Sequence, residues 1–118
     1  MGKTFKNIKV VEVINRDSAV SSDDGENLYT IVSEAIKEGF IVDLDFSNIT
    51  LMTTAFLNTA IGQLYSIYSS EELNTSLKLK NVAQEDGILF KKVVDRAKQY
   101  QANKKGFEDS ANNAIYGS

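Results

Sequence analysis

Apolar and polar positions along this chain alternate between a period of two and a period of 3.6, which divides it into strands and helices. Residues 40–46 show the first pattern most clearly: Val42, Leu44 and Phe46 share one face, and Asp43 and Asp45 share the other. A polar loop, residues 47–50, follows. The period then becomes helical, with Phe56, Leu57, Ala60, Ile61, Leu64, Tyr65 and Tyr68 on one side and Asn58, Gln63 and Ser66 between them. At the junction, Thr53 and Thr54 stand where a helix takes its N-cap side chain. A strand feeding a helix in this way leaves unpaired N–H groups and the positive end of the helix dipole at the sheet's carboxyl edge. Open α/β folds usually place recognition at that edge.

The remaining segments follow the same two periods. Residues 5–14 alternate loosely and end in a β-branched run, Val10, Val11, Val13 and Ile14, which predicts a strand. Residues 15–24 are polar and turn-rich. Ser22 or Asp23 is the expected cap of a helix over 25–38, with Glu26 in its first turn. In that helix Leu28, Ile31, Val32, Ala35 and Ile36 face inward, and Gly39 stops it. Residues 69–75 read as a loop carrying Glu71 and Glu72. Residues 76–82 set Leu77 and Leu79 against Lys78 and Lys80, as in a half-exposed strand. A third helix is expected over 84–100, with Ile88, Leu89, Val93, Ala97 and Tyr100 inward. Beyond it the composition turns polar and aperiodic, so residues 1–102 are expected to form the domain and 103–118 a disordered tail.

The order strand, helix, strand, helix, strand, helix implies right-handed crossovers and a largely parallel sheet. Asp43 and Asp45 on one face of the central strand argue for helices mainly on the opposite face. At 118 residues the chain is one domain, long enough to bury roughly two-thirds of its unfolded surface.

Composition narrows the chemistry. The chain contains neither cysteine nor histidine, which removes disulfides, thiolate nucleophiles, zinc sites and the commonest general base. The net charge of −3 gives no bulk attraction to nucleic acid or anionic lipid. The basic run Lys91, Lys92, Arg96, Lys98, Lys104 and Lys105 is interrupted by Glu85, Asp86, Asp95, Glu108 and Asp109, so a solvated helix face is expected. No segment has the apolar core of a secretion signal or the length of a membrane span, and a cytoplasmic location is expected. Gly2, Lys3 and Thr4 match the end of a phosphate-binding loop but lack its upstream strand and glycine.

The run Asp43, Leu44, Asp45, Phe46, Ser47, with Ile49, Met52 and Thr54 after it and helix on both sides, resembles the STAS domains of anti-sigma-factor antagonists and sulfate transporters. Ser22 to Glu26, Leu44 to Phe46 and Thr53 to Tyr65 look more closely like a bacterial STAS-like family, DUF4325, over about residues 8–100. The resemblance implies a single α/β domain with a mixed, mostly parallel sheet and helices mainly on one face. It also implies a regulatory role in the bacterial cytoplasm and docking of a protein partner, a histidine-kinase-like ATPase. In the antagonists that ATPase phosphorylates a serine at the helix start. Matching Met52 to the methionine of their motif sets Thr54 at the phosphorylated serine and Thr53 at the preceding aspartate. Ala55 and Phe56 then replace the second serine and the glycine.

Two readings of the threonines stand side by side. Capping needs one of them; phosphorylation of Thr54, with Thr53 as the other candidate acceptor, would add about −1.5 to −2 charges to the edge. Asp45, with Asp43, is a candidate metal ligand or base, set against a carboxylate that accepts hydrogen bonds from the following loop. Tyr65 and Tyr68 are core and rim residues or partner contacts. The expected contact set is Asp45, Ser47, Asn48, Thr50, Thr53, Thr54 and Asn58, in a non-enzymatic protein-binding module without a cofactor or metal. The alternative is a module that binds a small anion, such as a nucleotide or phosphate, at the helix start.

Overall fold

A computed structural model describes the backbone of residues 4–116 and the side chains of residues 4–102. Three strands, β1 (Phe5–Lys9), β3 (Ile41–Asp45) and β5 (Leu77–Lys80), form a parallel sheet in the order β1-β3-β5. Short β2 (Ser18–Ala19) and β4 (Leu51–Met52) pair in parallel as a second sheet. The helices are α1 (Val10–Ile14), α2 (Ser22–Lys37), α3 (Thr54–Ala60), α4 (Ser70–Ser76) and α5 (Gln84–Tyr116), with a 3-10 turn, Gly62–Ser66, after α3.

Register assigns the faces of the main sheet. Ile8 pairs with Leu44, and Leu44 with Leu79, on the side where Val42, Leu44 and Phe46 join Leu28, Val32, Phe56 and Leu57 in one buried cluster. Each such fully buried side chain contributes about 1.5–3 kcal/mol. The other face carries Asn7 and Lys9, Asp43 and Asp45, and Lys78 and Lys80. The expected architecture holds: an α/β domain with a mostly parallel sheet and helices mainly on one side. Asp43 lies on the polar face as expected but is buried beneath Lys80, whose Nζ reaches its Oδ2 at 3.2 Å.

Packing of α2 against α3 is the closest in the helical layer. A Cβ at Gly25 would lie 2.5 Å from Thr59 Oγ1 and 2.7 Å from the Phe56 carbonyl oxygen. Only glycine lets the two backbones approach this far. The far end of β3 is tied to α5 by Phe46 and Phe90, whose rings meet edge-to-face at 5.0 Å.

Several local expectations are corrected. Val10–Ile14 is helical, not strand, because its i, i+4 spacing buries Val10 and Ile14 together and overrides β-propensity. The cap of α2 is Ser21, whose Oγ accepts from Asp24 N at 3.1 Å, and the helix therefore starts earlier than expected. Ile31 is 37% exposed rather than inward. The helix expected through Tyr68 breaks at Ile61 (φ −112°) and passes into the 3-10 turn at Gly62, a weak helix former. Residues 70–76 are a helix, not a loop. Ser69 Oγ accepts from Glu72 N at 3.1 Å, and Glu71 and Glu72 favour the dipole end.

The inward face of α5 is also rotated. Phe90 and Val93 are buried, whereas Ile88 is 71% and Tyr100 63% exposed. The backbone of α5 stays helical through Tyr116, past the expected end at residue 100, and the side chains of the expected tail, 103–118, lie outside the described residues. No helix among the described residues is long and apolar enough to cross a membrane.

Candidate functional site

The corner between β3 and α3 is built from the carboxyl end of the central strand. Asp45 Oδ1 accepts the Ser47 N–H at 2.9 Å and the Asn81 amide Nδ2 at 2.8 Å. The first bond bends the chain two residues on, the local geometry that aspartate favours. The two bonds, Asn81 foremost, hold the Asp45 carboxyl below its ordinary pKa of 3.8 against the opposing effect of burial. Ile49 N then donates to Phe46 O at 3.2 Å, and Asn48 takes the left-handed conformation (φ 65°) that asparagine tolerates.

The corner is then laced to residues 17–20. Thr50 N donates to Asp17 O at 2.8 Å, Leu51 and Met52 pair with Ser18 and Ala19, and Thr53 N donates to Ala19 O at 3.1 Å. Thr53 Oγ1 works twice: it donates to Val20 O at 3.0 Å and accepts Phe56 N at 3.3 Å, capping α3. No hydrogen bond of the Thr54 hydroxyl occurs among the described residues, and Thr54 is half-buried at the first helical position.

Among the residues expected to form the site, Ser47, Asn48, Thr50, Thr53 and Thr54 do come together at this corner. Asn48 and Thr50 are exposed, and Ser47 and Thr53 half-buried. Asp45 lies beneath it, 8% exposed, and shapes the loop from below through the two hydrogen bonds that its Oδ1 accepts. Asn58 is one helical turn past Thr54 and opens instead onto a groove toward α5. The surface of the corner also includes Leu51, 57% exposed, and Val20, 37% exposed. Sequence reasoning missed Val20 and the strand before it, because a two-residue strand leaves no periodic signal.

Among the described residues, Asp43 is paired with Lys80, Asp45 with Asn81, and the Thr53 hydroxyl with Val20 O. Among the described residues, no three aspartates or glutamates cluster as a metal-ligand set. What the corner presents is a partly apolar rim, Leu51 and Val20, beside the Thr54 hydroxyl.

No curated protein and no solved structure matches the chain. A family model described as a STAS-like domain of unknown function, DUF4325, matches residues 24–86, from the first turn of α2 to the start of α5 and across the whole corner, and the chain belongs to that family.

Proposed function

We propose that this chain is a non-enzymatic regulatory module of the bacterial cytoplasm that docks a protein partner through the corner formed by residues 47–54. The partner is a histidine-kinase-like ATPase, and Thr54 is the residue it phosphorylates. One observation carries the reading: the two adjacent threonines divide their labour. Thr53 is consumed by capping α3 and holding Val20 O, so Thr54 is not needed as scaffold.

Docking gains from the exposed Leu51 and Val20 beside polar Asn48 and Thr50, a mixture typical of contact surfaces. Phosphorylation acts here through charge. A phosphate on Thr54 would stand beside the start of α2, whose first turn already carries Asp23 and Asp24, and so make the edge strongly anionic. A partner surface suited to the neutral rim would be repelled or replaced. The anion-cradle alternative is weaker, because α3 has seven residues and its Phe56 N–H is already satisfied by Thr53.

The test is recovery of the ATPase by co-purification from the native host, followed by incubation with ATP. Intact mass should show one added phosphate on the chain and none on Thr54→Ala. A chain that stays unmodified with its co-purified ATPase would end the phosphorylation reading. An unaltered affinity in Leu51→Asp would end the docking one.

A further inference from the structure

Beyond α3, the 3-10 turn and α5 form an open groove of about 330 Å³. This volume lies at the lower end of the range for small-molecule sites. Its walls include Asn58 and Gln63 on one side and Arg96 and Tyr100 on the other, over small residues, Gly62 and Ala97. A second cavity of about 150 Å³ continues from it, sharing Gln101, and is lined by Tyr65, Tyr68 and Lys98.

Two features of this groove are independent of its shape. The first is charge: the whole chain is −3, yet the groove walls carry Arg96 and Lys98, and no carboxylate lines either cavity among the described residues. Glu26, which lines neither cavity, accepts from Gln63 Nε2 at 3.0 Å. The same nitrogen donates to Thr59 O at 2.9 Å, which leaves the Gln63 carbonyl oxygen as the group able to accept from a ligand. The second feature is aromatic surface. Tyr100 is 63% exposed, and Tyr65 lies under Lys98 Nζ at 5.9 Å from its ring centre.

We propose that the groove between the 3-10 turn and α5 binds a small organic anion bearing an aromatic ring, its phosphate or carboxylate held by Arg96 and its ring laid against Tyr100 over Gly62 and Ala97. The Asn58 amide donates to the anion, and the Gln63 carbonyl selects a donor on the ring. Lys98, at the mouth of the second cavity, adds attraction at longer range. The site is separate from the corner at residues 47–54, and the two stand or fall independently.

Titration of the full-length ¹⁵N-labelled chain tests this. Phenyl phosphate and benzoate distinguish the two anion types, inorganic phosphate supplies charge without a ring, and phenol supplies a ring without charge. At least one aromatic anion should shift the Asn58, Gly62, Gln63, Arg96 and Gln101 amides saturably, with a Kd on the order of 0.1–1 mM. Arg96→Gln should weaken that binding by about 10-fold or more, and Tyr100→Ala by about 5-fold. Both side chains are exposed, so the fold survives either change, and Thr54→Ala should leave the affinity unchanged. Absence of saturable shifts with both aromatic anions would overturn the proposal. So would equal binding of inorganic phosphate, or binding indifferent to Arg96→Gln.

Discussion

The starts of α2 and α3 lie side by side, joined by the Thr53–Val20 hydrogen bond, and they are finished differently. Both use a hydroxyl cap: Ser21 accepts Asp24 N, and Thr53 accepts Phe56 N. The sixteen-residue α2 then places Asp23 and Asp24 in its first turn, whereas α3, seven residues long, has no acid there. The start of α2 thus supplies its own negative charge and is closed to another. Asp24 is 7% exposed, and Arg16 Nε stands 3.3 Å from its Oδ2. The start of α3 is uncharged, and its second threonine is spare. The two neighbouring helix ends therefore differ in charge, and an added phosphate would have a distinct electrostatic effect only at the second.

The largest test of this arrangement concerns how closely the two ends are held. Gly25→Ala should cost about 2–3 kcal/mol, since a methyl group cannot displace the Phe56 backbone carbonyl 2.7 Å away. Urea denaturation measures it. A change below about 0.5 kcal/mol would mean that the helices can separate and that the two ends are not one rigid edge.

Next in size is Asp45→Asn, which removes the charge that receives Ser47 N and Asn81 Nδ2 and should cost about 1–3 kcal/mol at neutral pH. Because Asp45 titrates below 3.8 when folded, the unfolded chain takes up its proton first. Its stabilisation is complete above that ordinary value and is lost as pH falls through the lower folded one. The unmodified chain should therefore lose more stability than Asp45→Asn between neutral pH and about pH 3. Equal losses would show that the loop does not depend on that carboxylate.

The division between the threonines is the finest test. Thr53→Ala should cost about 1 kcal/mol, close to Ser21→Ala at the other cap. Thr54→Ala should stay within about 0.5 kcal/mol. Similar losses at Thr53 and Thr54 would erase the distinction on which the phosphorylation reading rests.

Much of the corner was legible in the sequence because it is local. Asp45 bonds two residues ahead and a threonine caps three residues ahead, so residue type and spacing point to both, while the choice of Thr53 over Thr54 rests on the structure. The cap of α4 is equally local: Ser69 Oγ accepts Glu72 N, and Glu71 and Glu72 mark a helix start more than a loop. Nearness in sequence points Asn58 to the corner, but the crossing of α5 gives it to the groove.

The sequence alone determined the order of the main elements β1, α2, β3, α3, β5 and α5, the parallel sheet and the polar face bearing Asp43 and Asp45, because periodicity and crossover handedness act on short stretches of chain. Only tertiary structure decided that Val10–Ile14 coils, that α3 stops at Ala60, and that Val20 is Thr53's partner, 33 residues away. These outcomes depend on which distant groups compete for the same backbone bond or the same space in the core. A local pattern does not contain that competition, and the close approach at Gly25 resolves it only once both helices are in place.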